Sequence, residues 1–237
     1  MRLEDGRGLP GPIYVSTLLE ETPVDHGFGT RDADPWDSAA ESAIVTVRQT
    51  HSSRVLVWEE PQPEQAMPVC LGEGDALVTD QPGVWLTVKT ADCVPVLLAH
   101  RAGRAVGAAH AGWRGVASEI VPAALAEMTN RYGVSPSDVV AAIGPAIGRC
   151  CFEVGPEVAR QFGRWWPPSA APEGKQYVDL AATLLKQLKE AGVPAQQIDS
   201  GAPCTKCRPG EFHSFRRDQD RAGRMRSAIR IRPTRSR

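Results

Sequence analysis

An α+β fold, with mixed β-sheets flanked by helices, is what this 237-residue sequence predicts, and three observations carry it. Short apolar and β-branched runs come before, between and after the helical stretches, without the strand–helix alternation of a doubly wound sheet. The 22 Gly and 20 Pro punctuate the chain with turns, and aromatic residues make up only 6%. That balance is foreign to coiled coils and helical repeat arrays. With 42% hydrophobic residues and no linker or low-complexity segment, residues 1–237 are expected to form a single domain with a substantial core.

Residues 1–42 are polar and rich in Gly, Asp and Pro, with a strand expected only at 12–17. AIVTVRQ (43–49) and RVLVW (54–58) are strand-like, separated by the polar residues 51–53, and 59–74 reads as a Pro/Glu/Gln loop. Four apolar runs follow, DALVTD, GVWLTVKTAD, VPVLLAHR and RAVGAAH, as a β-meander or a piece of a larger mixed sheet. Val116, Ile120, Val121, Ala124, Leu125 and Met128 share one helical face, so a single helix is expected to end near Gly133. VVAAI is a buried strand running into the turn GPAIG. A second helix is expected near Pro156 and a third over 178–191, with Leu180, Leu184, Leu185 and Leu188 as its apolar face. FHSFRR and SAIRIR read as two closing strands.

A net charge of −1 offers no electrostatic footprint for nucleic acid. Nine Arg against two Asp from Arg216 onward still make a basic end. It reads as a lip beside a site, a solvated tail, or the docking face of a protein that is not an enzyme. No run approaches the ~18 apolar residues of a membrane span, and MRLEDGRGLPG lacks the apolar centre of a signal peptide. A soluble, cytoplasmic protein is expected. Six Cys are too sparse for a disulfide scaffold, which leaves free thiols, a metal site or a catalytic Cys. Neither a GxxxxGK[ST] phosphate loop nor a credible dinucleotide fingerprint is present.

Three potential metal ligands lie at strand ends beside turns: His51 in RQTHSS, Cys93 in TADCVP and His110 in AAHAGWRG. If Ala102-Gly103 is a two-residue hairpin loop, paired positions sum to 205 and His110 faces Pro95. Cys93 is then its diagonal neighbour on the same face, about 7–8 Å away backbone to backbone. Side chains can close that gap onto one ion, and His51 would complete a Cys-His₂ set with an open fourth position. The alternative is a hydrogen-bonded core His110 and a small buried Cys93. Two Gly in HAGWRG allow close backbone approach. Trp113 offers a stacking surface, and Arg114 is a ligand for an anion or a partner for a carboxylate.

A second constellation competes. Cys151-Phe152-Glu153 with Pro203-Cys204-Thr205-Lys206-Cys207 imitates the three-Cys form of the nucleobase-deaminase zinc signature, in which PCxxC opens a helix. The following RPGEFHSFRR reads as turn and strand, so free thiols in a loop are the simpler expectation, beside a structural zinc or redox role for Cys204 and Cys207.

QTHSSRV, DALVTDQPGVWLTVKTADCVPVLL, AAHAGWRGV, AIGPAIGRCCFEVGPEV and FHSFRRDQDRAGRM resemble, in order, the motifs of one family. It was long named multicopper polyphenol oxidase or laccase-domain protein and is now described as purine nucleoside phosphorylases with adenosine deaminase activity. The likeness spans about residues 47–225. It implies an α+β fold similar to the catalytic domain of cytotoxic necrotizing factor toxins, with 1–237 as a single catalytic domain. It also implies a zinc site at the matching His51, Cys93 and His110. The sequence departs from the family in HGFGTRDADPW near its start, and at His213, where an aromatic is usual.

The implied activity is phosphorolysis of adenosine, inosine and methylthioadenosine, with purine nucleoside and phosphate as the partners, plus deamination of adenosine. A zinc with an open position lowers the pKa of bound water toward ~7, which suits attack at C6 of adenosine. Asp75 is a candidate to orient a ligating His or act as a base, although an Asp there also caps turns. Arg216 and Arg217 are candidates for phosphate, strand alternation allowing one of them to face the site. Gln49 is a candidate for purine or ligand contact. Multicopper oxidation is excluded, because five His cannot supply a blue-copper centre and further copper sites. Copper is nonetheless a second ion that the same Cys-His₂ set accepts. The other enzymatic reading is an amide hydrolase with Cys93 as nucleophile and His110 as base.

Overall fold

The structure, a computed structural model, describes residues 1–5, 11–33, 43–59, 68–166 and 176–233. The first half runs β1 (Arg2–Glu4), β2 (Ile13–Val15), α1 (Thr17–Glu20), β3 (Val24–Phe28), β4 (Ile44–Arg48), β5 (Val55–Val57), β6 (Val69–Glu73), β7 (Ala76–Thr79), β8 (Trp85–Thr90), β9 (Val94–His100) and β10 (Val106–Ala111). There follow α2 (Trp113–Ala117), α3 (Ile120–Tyr132), β11 (Val139–Ile143), β12 (Glu153–Val154), α4 (Pro156–Ala159), β13 (Gln176–Tyr177), α5 (Leu180–Glu190), β14 (Ile198–Asp199), α6 (Phe215–Asp218) and β15 (Met225–Ile231). Seven strands form one sheet, ordered β1-β2-β3-β15-β8-β4-β6, and six form a second, ordered β14-β11-β9-β10-β7-β5. Both sheets are mixed, with β4 parallel to β8 and β6, β5 parallel to β7, and β14 parallel to β11.

Side-chain parity stacks these elements in three layers. In β9, Leu97 and Ala99 pack with Leu86, Val88 and Ile229 of the seven-stranded sheet. Val94, Val96 and Leu98 point the other way, into a core shared with Ile120 of α3 and Leu184 and Leu188 of α5. The six-stranded sheet is thus covered on both faces, and every residue of VPVLLAH is buried. Leu184 and Leu188 are fully buried, each contributing about 1.5–3 kcal/mol over an exposed side chain. Asp179 caps α5 by accepting the Ala182 N–H at 2.9 Å. Among the described residues, no helix is long and apolar enough to cross a membrane.

The β9–β10 register is the predicted one, with Val106 opposite Ala99 and His110 opposite Pro95. Other expectations are corrected. The four apolar runs are no simple meander, because β8 leaves its neighbours for the other sheet. The strands β1, β3 and β6 were not expected. Asp25 and Gly27 in β3, and Gly72 and Glu73 in β6, break the apolar alternation, and it is pairing with β15 and β4 that holds these segments extended. Half of the expected 59–74 loop, residues 60–67, lies outside the described residues. The single helix is two: Ser118 donates back to the Arg114 carbonyl at 2.8 Å, and Glu119 turns left-handed at φ 61° before α3 starts. FHSFRR is not a strand but leads into α6, because Ser214 Oγ accepts the Arg217 N–H at 3.3 Å. The basic end is no solvated tail either. Its strand β15 lies inside the seven-stranded sheet, and Arg230 and Arg232 both donate to Asp25 at 2.9 Å.

Candidate metal centre

Two-residue periodicity puts Asp75, Cys93, Pro95 and His110 on the face of the six-stranded sheet that looks toward the other sheet, at its open end. The β7–β10 register pairs Ala109 with Ala76 and continues to His110 N–H on the Asp75 carbonyl at 2.7 Å. Asp75 and His110 are therefore direct cross-strand neighbours. The Asp75 carboxylate, completely buried, accepts from His110 Nδ1 at 2.8 Å. It also accepts from the backbone N–H of His51 at 3.0 Å, and from the N–H and hydroxyl of Ser52 at 2.6 and 2.7 Å. Burial works against its charge, but the hydrogen bonds from His110 and Ser52 outweigh this and hold the carboxyl well below the usual carboxylate range. An ionised carboxylate only accepts, so His110 carries a proton on Nδ1, and it is Nε2 that faces the cluster.

The structure brings His51, Cys93 and His110 together, with one ligand atom from each and all within 4.8 Å of one another. Cys93 Sγ is 3.8 Å from His51 Nε2, and the two imidazoles meet edge to face with centroids 4.9 Å apart. His51 is exposed, Cys93 half-buried and His110 buried, so the donors open to one side. The cradle has no spare room, because a Cβ on Gly112 would stand 2.6 Å from the His51 ring and 3.2 Å from Cys93 Sγ. His51 (φ 60°) and Asp92 (φ 85°) both hold left-handed backbone, a strain that side-chain anchors sustain. Without metal, burial pushes the Cys93 thiol up, but hydrogen bonds from His110 and His51 prevail and bring it down to about 7. Burial likewise opposes charge on His110, yet Asp75 and Cys93 lift it to about 9. A cysteine sulfur, an imidazole that is held by a carboxylate and gives up its Nε2 proton on ligation, and a second imidazole form a donor set suited to zinc or copper.

Other candidates fall elsewhere. The Gln49 amide donates to the Lys89 carbonyl at 2.7 Å and accepts its N–H at 2.8 Å, extending the β4–β8 pairing. Arg114 stacks over its neighbour Trp113 at 4.4 Å. Arg217 is tied to both oxygens of Asp218, at 2.9 and 2.7 Å, and to the Phe212 carbonyl at 2.8 Å. Arg216 donates to the Glu153 carbonyl at 2.7 Å and lies over the Phe152 ring. Its backbone N–H binds Asp92 at 2.6 Å, which places it on the anchor beside Cys93. Asp92 escaped the sequence reading; it also accepts from Thr205 and Ser214 hydroxyls at 2.6 and 3.0 Å. Its one signal was adjacency to Cys93.

The three thiols of the deaminase-like constellation do meet, but without the helix of that signature. Residues 204–207 make a turn rather than the start of a helix, and Cys150 joins Cys151, Cys204 and Cys207 in a four-thiol group. These thiols are free, as expected, but not scattered.

The family model described as "Multi-copper polyphenol oxidoreductase laccase" matches residues 33–232. The chain is 41% identical over 201 residues to a protein of Bacteroides thetaiotaomicron named purine nucleoside phosphorylase, covering 81% of this chain and 74% of that one. It is 38% identical over 200 residues to "Adenosine deaminase RL5" from an unknown prokaryotic organism, covering 78% and 74%. Among solved structures it resembles YlmD from Geobacillus stearothermophilus, with a TM-score of 0.81 at 27% identity over 97% of this chain and 98% of that one. The protein belongs to the multi-copper polyphenol oxidoreductase laccase family.

Proposed function

We propose that the protein is a zinc-dependent purine nucleoside phosphorylase that also deaminates adenosine, working at His51, Cys93 and His110. Residues 1–237 act as a single catalytic domain in the cytoplasm. The observation that carries the reading is the buried Asp75 carboxylate, which binds one ligating side chain and the backbone of another ligand. The names of the relatives supply the substrate class.

When bound, zinc supplies a Lewis acid with one open position, the chemistry that water activation for deamination at C6 requires. The chain's own groups do the rest. Asp75 fixes the tautomer and angle of His110 and the backbone of His51. Asp92 fixes the turn before Cys93 and the backbone of Arg216. The Arg216 guanidinium is the group assigned to phosphate, as a charge-assisted donor. In phosphorolysis, phosphate attacks C1′ of the ribose as the purine leaves. Adenosine, inosine and methylthioadenosine are the substrates assigned.

The test joins metal analysis to a nucleoside assay with and without phosphate. Zinc in the protein, ribose-1-phosphate only with phosphate, and inosine from adenosine in either buffer are expected. Nucleoside left intact by zinc-loaded protein would overturn the assignment. A second reading, an amide hydrolase with Cys93 as nucleophile, draws on the depressed Cys93 thiol beside a proton-holding His110. Activity that survives chelation and dies on mild alkylation would favour it.

A further inference from the structure

We propose that Cys150, Cys151, Cys204 and Cys207 form a second metal centre, a closed tetrathiolate zinc site that clamps two loops and plays no part in the chemistry. The four sulfurs lie within 4.8 Å of one another. The separations Cys150–Cys151, Cys150–Cys207 and Cys151–Cys207 are 3.7, 3.7 and 3.4 Å. With Zn–S near 2.3 Å, a tetrahedron of thiolates has edges of about 3.8 Å, so the sulfurs stand close to where one ion would hold them. Clusters of two or four irons would spread the thiolates farther, since each iron takes its own. A redox pair would account for two of the thiols and leave the other two unexplained.

The surrounding backbone fits a centre of this kind. Gly148 N–H donates to Cys204 Sγ at 3.2 Å, the sort of bond that stabilises a metal thiolate. A Cβ on Gly148 would meet Cys204 Cβ at 3.3 Å and Cys150 Sγ at 3.4 Å, so the loop approaches closely. Four thiolates around Zn²⁺ carry a net −2, and Arg149, Lys206 and Arg208 adjoin the ligands in sequence. Binding deprotonates the four thiols and passes their protons to solvent. Four protein ligands leave no open position, which makes the site structural.

The clamp has a purpose in the fold. Cys150 and Cys151 follow β11, and Cys204 to Cys207 follow β14, and the loops otherwise meet through a bridge between Ala146 and Cys204. Thr205, inside the second loop, donates to Asp92, the anchor beside Cys93. A metal joining the loops would hold that anchor without touching substrate.

Inductively coupled plasma and native mass spectrometry of the full-length protein, purified under reducing conditions, read the site without activity. Two zinc ions per chain are expected in the wild type and one in Cys150→Ser/Cys207→Ser. Cys93→Ser should also hold one, so loss at either centre is told apart from loss at the other. Should the His51 site bind no zinc, the wild type would hold one ion and the double variant none. Zinc content unchanged in the double variant would overturn the proposal. So would an intact mass showing disulfides among the four Cys, or iron absorbance in place of colourless zinc. If the double variant does not fold, cobalt substitution of the wild type decides: the absorption of a four-thiolate cobalt site supports the proposal, and that of a one-thiolate site alone overturns it.

Discussion

His51, Cys93 and His110 hang from strand ends, and their spacing is set by the register of β7, β9 and β10 and by a buried carboxylate that binds two of the three. Cys150, Cys151, Cys204 and Cys207 sit in two turns held by backbone and N–H···S contacts, with two of the four exposed. Mixed N and S donors that open to one side leave room for a reacting molecule. Four like donors that close on themselves do not. The difference teaches that a strand-end site is preorganised by the sheet, whereas a turn site depends far more on what its own ligands bind.

The sharpest contrast lies in activity. His110→Ala should abolish both phosphorolysis and deamination, while Cys204→Ser should keep both nearly intact in protein shown by a thermal melt to be folded. A buried change alone can cost roughly 1–3 kcal/mol, hence the melt. An active His110→Ala beside a folded but inactive Cys204→Ser would exchange the roles of the two clusters.

Next in size is the buried carboxylate. Asp75→Asn keeps the shape but loses the charge that holds His110 and the His51 backbone, so zinc affinity should fall roughly 10- to 100-fold at this centre. A competition titration with a chromophoric chelator measures it. Unchanged affinity would mean that the sheet register suffices by itself.

The short helix of Arg216 and Arg217 touches the surroundings of both clusters, through Asp92 and through the Thr205 and Lys206 carbonyls. Arg216→Ala should raise KM for phosphate by roughly tenfold or more, as expected for a lost charge-assisted contact of roughly 1.5–3 kcal/mol, with a smaller change in KM for nucleoside. Arg217→Ala, which loses the Asp218 pair, should lower Tm and spare phosphate KM. The opposite pattern in steady-state kinetics would reassign the phosphate group.

The smallest effect is a rate order in metal-free protein. Hydrogen bonds bring Cys93 down to about 7, whereas burial, aided by neighbouring thiols, pushes Cys150 up to about 12. A thiol alkylates as thiolate. Cys93 labelling should therefore rise as pH climbs through about 7 and level off above it, while Cys150 stays slow until far more alkaline pH. Peptide mapping after timed iodoacetamide treatment reads both, and Cys150 labelling first at neutral pH would refute the ordering.

Features that follow local rules were legible in the order of residues alone. Short continuous apolar runs and the stripe of α5 located β7 to β11 and the third helix, and hairpin arithmetic alone brought Cys93 to His110. Long-range partners decided the rest. Gln49 belongs to the Lys89 backbone, a pairing made by two strands distant in sequence. FHSFRR alternates like a strand, but Asp92, more than a hundred residues earlier, takes the Arg216 N–H and the Ser214 hydroxyl and favours a helical turn. His51 has no neighbour in sequence that places it beside Cys93; the carboxylate of Asp75 does so through space. Cys150 carries no signal in the sequence, because a thiol's partners are set by loop closure, and loop closure is a property of the folded whole.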